Sequence, residues 1–207
     1  MPDPSKEALE RASTRISEVK AHGSVSGRQT KFLWFQLLDA YRLSAMTRAL
    51  ADCGMQADIF TAEAIEVLVR KVVEHAIIAG YVAQEPVEVV DRFLKTSAEM
   101  FEKSWKEEHY TEDKNLNVSC LPDYRQMAKK FDAALYDTYR RLSHLAHPRV
   151  ALPHALVEHE YLQRERIDRR EFYRRRAEQA LIWMAQALNS VVKFFDMHFS
   201  TKLSGSA

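Results

Sequence analysis

The fifteen residues YDTYRRLSHLAHPRV, Tyr136 to Val150, hold two histidines, three arginines, one serine and two tyrosines. On a helix turning about 100° per residue, Phe131, Leu135, Thr138, Leu142 and Leu145 fall on one side, while Tyr136, Arg140, Ser143, His144 and His147 fall on the other. Arg140 and His147 differ by only about 20° in azimuth and stand about 10 Å apart along the axis, a gap that one phosphodiester spans. A guanidinium and an imidazole so placed suit RNA cleavage by the adjacent 2′-hydroxyl. The imidazole takes the hydroxyl proton, and the guanidinium holds the non-bridging oxygens as negative charge grows on them. Pro148 ends the helix beside His147, where the helix dipole favours the imidazolium, so the same group can also return a proton. This chemistry needs no metal and no cofactor.

Arg140 or Arg141 followed by His147 resembles the Arg-x4-6-His motif of the HEPN superfamily of all-helical ribonucleases. His22, His75 and His154 also follow an arginine at that spacing, but only His147 combines it with a helix end and a shared non-core face. A broader resemblance runs over residues 30 to 200. RKVVEHAIIAGYVAQEPVEVVDRFL (Arg70 to Leu94) and YRRLSHLAHP (Tyr139 to Pro148) look like a family of uncharacterised bacterial helical proteins, with Arg-x3-Glu on one helix and a His-Pro helix end. The HEPN resemblance implies a metal-independent endoribonuclease of toxin or defence type, with two copies of the motif paired across a homodimer and a regulatory protein as a further partner. It makes His147 the base or acid, Arg140 or Arg141 the phosphate ligand and His144 an auxiliary donor. Arg70, Glu74, Tyr136 and Arg149 are then the substrate-contacting residues.

The other reading is a non-catalytic helical module that binds a protein or RNA. Arg70 and Glu74, four apart on an otherwise apolar helix, form an ion pair that fixes helix packing as readily as they serve a site, with Arg141 at the edge of its own helix's core stripe as a third member. His75 reads as a surface histidine. Ser143, without a nucleophile elbow around it, reads as a hydroxyl bonded to its own backbone. Di-iron bundles need Glu-x-x-His, and no histidine here has a glutamate three before it. His144 and His147, joined by His154 or His159, are the nearest approach to a metal set. No Gly-rich phosphate loop or dinucleotide fingerprint occurs.

Long helices must carry these residues, because the chain has only 5 Gly and 6 Pro in 207 residues. Residues 5–21 are a polar helix or arm that packs poorly, ended by Gly23 to Gly27. Residues 30–52 repeat Trp34, Leu37, Leu38, Tyr41, Ala45 and Ala49 at helical spacing, and residues 58–84 are apolar nearly all round, as a central helix requires. A fourth helix starts at Pro86 with Val90, Phe93, Leu94, Phe101 and Trp105 inward, followed by a polar loop over 109–122. A fifth runs from Asp123 to about His147, residues 148–163 cross over irregularly, and a last helix spans Asp168 to Phe199. The predicted fold is an all-α bundle of five to six helices, HEPN-like, with an arm over 1–25, one bundle domain over 26–203 and a polar tail over 204–207.

The formal net charge of +1 excludes a polyanion binder recognisable from bulk charge, and 46% hydrophobic residues exclude a disordered chain. Charge is uneven along the chain: +2 over residues 1–55, −7 over 56–113 and +6 over 114–207. Residues 164–176 alone hold seven arginines. They read either as a helix start laced with pairs such as Glu171 with Arg175, or as a phosphate-contacting patch with Arg169, Arg170, Arg174 and Arg176 as donors. Cys53 and Cys120 share no metal or disulfide spacing, and the charged first twenty residues lack a secretory h-region. With no uninterrupted apolar span either, the expected setting is the cytoplasm, away from membranes.

Overall fold

Asp3 opens the fold. Its carboxylate accepts the Ser5 N–H at 3.0 Å and so caps α1 (Pro4–Ala21), whose Pro4 lies where a missing N–H costs nothing. The computed structural model describes residues 3–53, 59–106, 121–146 and 159–199, with side chains of 59–60, 99–106 and 144–146 outside that description. In it α2 spans Arg28–Asp52, α3 Ile59–Gln84, α4 Glu88–Lys106, α5 Tyr124–Ala128, α6 Ala133–Ala146, α7 residues 159–164 and α8 Arg169–Phe199. No strand occurs among the described residues, so the chain is an all-α bundle.

The contacts between helices give the topology. Arg11 meets Asn189 and Arg15 meets Asp196, so α1 and α8 run the same way. Glu66 meets Arg176 and Ala83 meets His198, so α3 runs with them. Gln36 contacts His75 and Gln29 contacts Val82, which makes α2 antiparallel to α3. Phe131 lies over Gly80 and Tyr139 over Arg70, which makes α6 antiparallel to α3 as well. The helix between these neighbours, α3, buries Ile65, Val69, Val72, Val73, Ala76 and Ile77, as its all-round apolar sequence predicts. Its last carbonyls, which have no partner within the helix, are met from outside. Gln29 donates to Val82 and Glu85, and His198 Nε2 donates to Ala83 at 2.8 Å.

Three expectations are corrected. The polar N-terminal helix packs well: Ala8, Ala12, Ile16 and Val19 form a buried stripe against α8 and α2. Small residues make such a stripe quiet in a hydropathy reading, yet they allow close approach, and Arg48 ties the helix start to α2 through Asp3 and Ser5. In α2 the buried line is Leu33, Leu37, Ala40, Ser44, Thr47 and Ala51, rotated from the predicted one, with Trp34, Leu38 and Tyr41 on its flank. The fifth helix is broken. After α5 the chain turns through Lys129 to Asp132, and the Asp132 carboxylate accepts the Ala134 N–H at 2.9 Å, which caps a new helix.

Smaller differences follow. α4 begins at Glu88 rather than Pro86, Leu94 is exposed, and residues 159–164 are helical where a crossover was expected. The predicted loop over 109–122 is described only at Leu121 and Pro122.

Ser44 carries a prediction of its own. Its buried hydroxyl has no hydrogen-bond partner among the described residues, whereas the neighbouring Thr47 hydroxyl donates to the Leu43 carbonyl at 2.8 Å. Ser44→Ala removes an unsatisfied group and adds a better helix former, so it should stabilise the protein by about 1 kcal/mol in urea unfolding. A loss of similar size would mean that the hydroxyl is bonded in solution.

Candidate functional site

Glu66, Arg70 and Glu74 recur every fourth residue on α3 and form a charged strip on a helix otherwise made for burial. Each member has found a partner. Glu74, buried, accepts from Arg70 Nε at 3.1 Å on one oxygen and from Lys71 Nζ at 2.8 Å on the other. The Arg70 guanidinium lies 5.3 Å from the centre of the Tyr139 ring, with an N–H 3.4 Å from the tyrosine hydroxyl. Glu66 takes both of its hydrogen bonds from the fork of Arg176, at 2.9 and 2.7 Å.

The turn at 129–132 folds α5 back so that Tyr124 meets Tyr139, ring centres 4.8 Å apart. Tyr136, predicted on the non-core face, is half-buried beside Tyr139 at 6.1 Å and packs against the core. The break that creates α5 is what covers this side of α6. Burial, with the charge of Glu74 and the neighbouring Tyr139 adding to it, pushes the Tyr124 hydroxyl up to about 12 against the pull of Arg70. It therefore stays protonated at neutral pH. Ser143 donates to the Tyr139 carbonyl at 2.7 Å, the backbone bond expected of it.

Arg140 and Arg141 are exposed on α6, which corrects the expectation of Arg141 at the core edge. Arg140 is 61% exposed, and its one ion pair among the described residues is with Asp137, at 3.8 Å. His144 lies in the last turn of α6, with its side chain outside the described residues, and His147 and Arg149 lie outside them altogether. Among the described residues no three of His, Cys, Asp and Glu gather as a metal group.

The seven-arginine stretch splits. Arg176, expected as a phosphate donor, is locked on Glu66 with little exposure, because a buried carboxylate demands a partner. Arg174 and Arg175 bind Glu171, whose carboxyl they hold below its usual range. Asp168 caps α8 by accepting the Glu171 N–H at 2.8 Å. Arg169 lies 5.9 Å from the Tyr173 ring, and Arg170 is exposed with no ion pair among the described residues.

The strip on α3 brings two basic segments together. Arg176 is anchored at Glu66 and Tyr139 at Arg70, positions one helical turn apart, about 6 Å. Arg140 and Arg141, midway along α6, and Arg169 and Arg170, at the start of α8, therefore lie toward the same end of α3.

His75, expected at the surface, is half-buried between α2 and α3 and hydrogen-bonds Gln36 at 2.7 Å. Burial lowers its pKa below 6.5; Asp39 and Glu74 oppose this, and Lys71 adds to it. As pH falls below about 6.5 the unfolded chain binds this proton before the folded one, so stability present above that pH declines until the folded pKa is reached. His75→Gln should flatten the fall in Tm between pH 7 and 5. An unchanged slope would remove His75 as its source.

No known protein family, curated protein or solved structure matches the chain. No described helix is long and apolar enough to cross a membrane.

Proposed function

We propose that the protein is a helical RNA-contacting module whose contact surface is the end of the bundle where α6 finishes and α8 begins. One observation carries this reading: the neighbouring anchors Glu66–Arg176 and Arg70–Tyr139 set the segments that carry Arg140, Arg141, Arg169 and Arg170 toward the same end of α3. Arg141 and Arg170 have no ion pair among the described residues, and Arg140 has only a distant one. Guanidiniums left free of carboxylates suit phosphate oxygens. Binding of a labelled single-stranded RNA should weaken steeply with salt, with a log–log slope of about −0.7 for each phosphate contacted. Salt-independent binding would overturn this reading.

A second reading adds cleavage, and the exposure of Arg140 favours it. α6 is helical through Ala146, so Arg140 lies exposed on the helix that precedes His147 in the sequence, in the order of the Arg-x4-6-His resemblance. In this reading His147 is base or acid, Arg140 or Arg141 the phosphate ligand, and a second copy of the chain completes the site in the cytosol. End-labelled RNA in excess EDTA should then give products ending in 2′,3′-cyclic phosphate, and His147→Ala should abolish them. RNA that is bound but left intact would leave the binding module alone.

A further inference from the structure

At the other end of the bundle, where α1 closes and α2 opens, a cleft of about 490 Å³ reaches the surface. Its walls include Val19, Val25, Trp34 and Phe35, and its rim carries Lys20 and Lys31. Phe35 is 62% exposed, the most exposed of the large hydrophobic side chains described. A solvent-facing phenylalanine costs hydration free energy that a partner would recover. The cleft is preformed. The Trp34 ring packs against Phe195 with centres 5.6 Å apart, Gln29 fixes the start of α2 to the end of α3, and Gly23 turns the chain with φ +82° and leaves its surroundings open.

Charge identifies the occupant. Lys31 and Phe35 lie four apart on one face of α2, and Lys20 stands on the end of α1. Neither lysine has an ion pair among the described residues, and no carboxylate lines the cleft. A polybasic lipid site needs about four to eight basic residues, and there are two here. Single-stranded RNA is held by successive bases stacking on a row of aromatic side chains along a basic groove, whereas here Phe35 alone offers an open ring, the Trp34 ring being packed against Phe195. We infer that this cleft docks an acidic protein segment, an amphipathic stretch whose large apolar side chains enter between Trp34 and Phe35 while flanking carboxylates meet Lys20 and Lys31. The site is remote from the basic end and does not depend on RNA binding there.

The test is selection of random fifteen-residue peptides displayed on phage against the full-length protein, followed by affinity measurement of the selected sequences. Expected are acidic peptides with two large apolar residues, which shift the amide signals of Gly23, Lys31 and Phe35. They should bind Lys20→Glu/Lys31→Glu and Phe35→Ala at least tenfold more weakly, while both variants keep the wild-type Tm because these side chains face solvent. RNA affinity should be unchanged in the double lysine variant, which separates this site from the basic end. Selection of neutral or basic peptides, recovery of no binders, undiminished binding to either variant, or displacement of the peptides by RNA or anionic vesicles would each overturn the inference.

Discussion

Arg176→Met should destabilise the protein by about 3–5 kcal/mol, the usual consequence of leaving a buried carboxylate without its cation. The side chain of Glu66 is 4% exposed, and both of its oxygens depend on one guanidinium fork. Folded domains have only about 5–15 kcal/mol in hand, so the urea midpoint should fall by a large fraction of its value. Arg176→Lys should recover only part of the loss, because an ammonium cannot reproduce the two parallel bonds or the packing against Phe172 and Tyr173, each 5.8 Å away. Glu66→Leu combined with Arg176→Met should return close to wild-type stability, since no buried charge remains. A loss below about 1 kcal/mol for Arg176→Met would contradict the assignment of this pair as the joint between α3 and α8.

Gly80→Ala tests the joint between α3 and α6. A Cβ at Gly80 would stand 2.4 Å from two ring carbons of Phe131, closer than packing allows. That ring is itself held edge-on against Phe194 at 5.2 Å, so it cannot move without disturbing a second contact. Alanine in place of glycine favours the helix by about 1 kcal/mol, while overpacking costs about 1–3 kcal/mol. The substitution should therefore destabilise the wild type by about 1 kcal/mol and stabilise a Phe131→Ala background by about 1 kcal/mol. Equal effects in both backgrounds would mean that Phe131 does not set the approach of the two helices.

Elements whose burial follows from strong local patterning were legible. The stripe Tyr173, Ala177, Ala180, Leu181, Met184, Leu188, Val191 and Phe195 is buried as its spacing requires, and Asp123 and Asp168 cap the helices they precede. The stripe of α2 was misread because Ser44 and Thr47 look polar in sequence while neighbouring aromatic residues dominate a hydropathy count. The break at Asp132 was hidden because Phe131 and Leu135 keep the helical period across it, and only the capping carboxylate marks the turn. At the candidate site, Arg70 and Glu74 were readable because four residues on a helix make a contact by themselves. Glu66 and Arg176 lie 110 residues apart, and local spacing holds no trace of such a pair; the signal available was the four-residue repeat of Glu66, Arg70 and Glu74. The half-burial of His75 likewise depends on where α2 packs.

The most direct measurement is the affinity of a fluorescein-labelled single-stranded RNA, by anisotropy over a range of salt, for the wild type, Arg140→Glu/Arg141→Glu/Arg170→Glu and Lys20→Glu/Lys31→Glu. The triple variant should lose most of its affinity and about two units of salt slope, at about 0.7 per phosphate contact, with its fold intact because all three side chains are exposed. The double lysine variant should bind as the wild type does. RNA binding by the triple variant as tight and as salt-sensitive as that of the wild type would contradict the assignment of this end of the bundle to RNA.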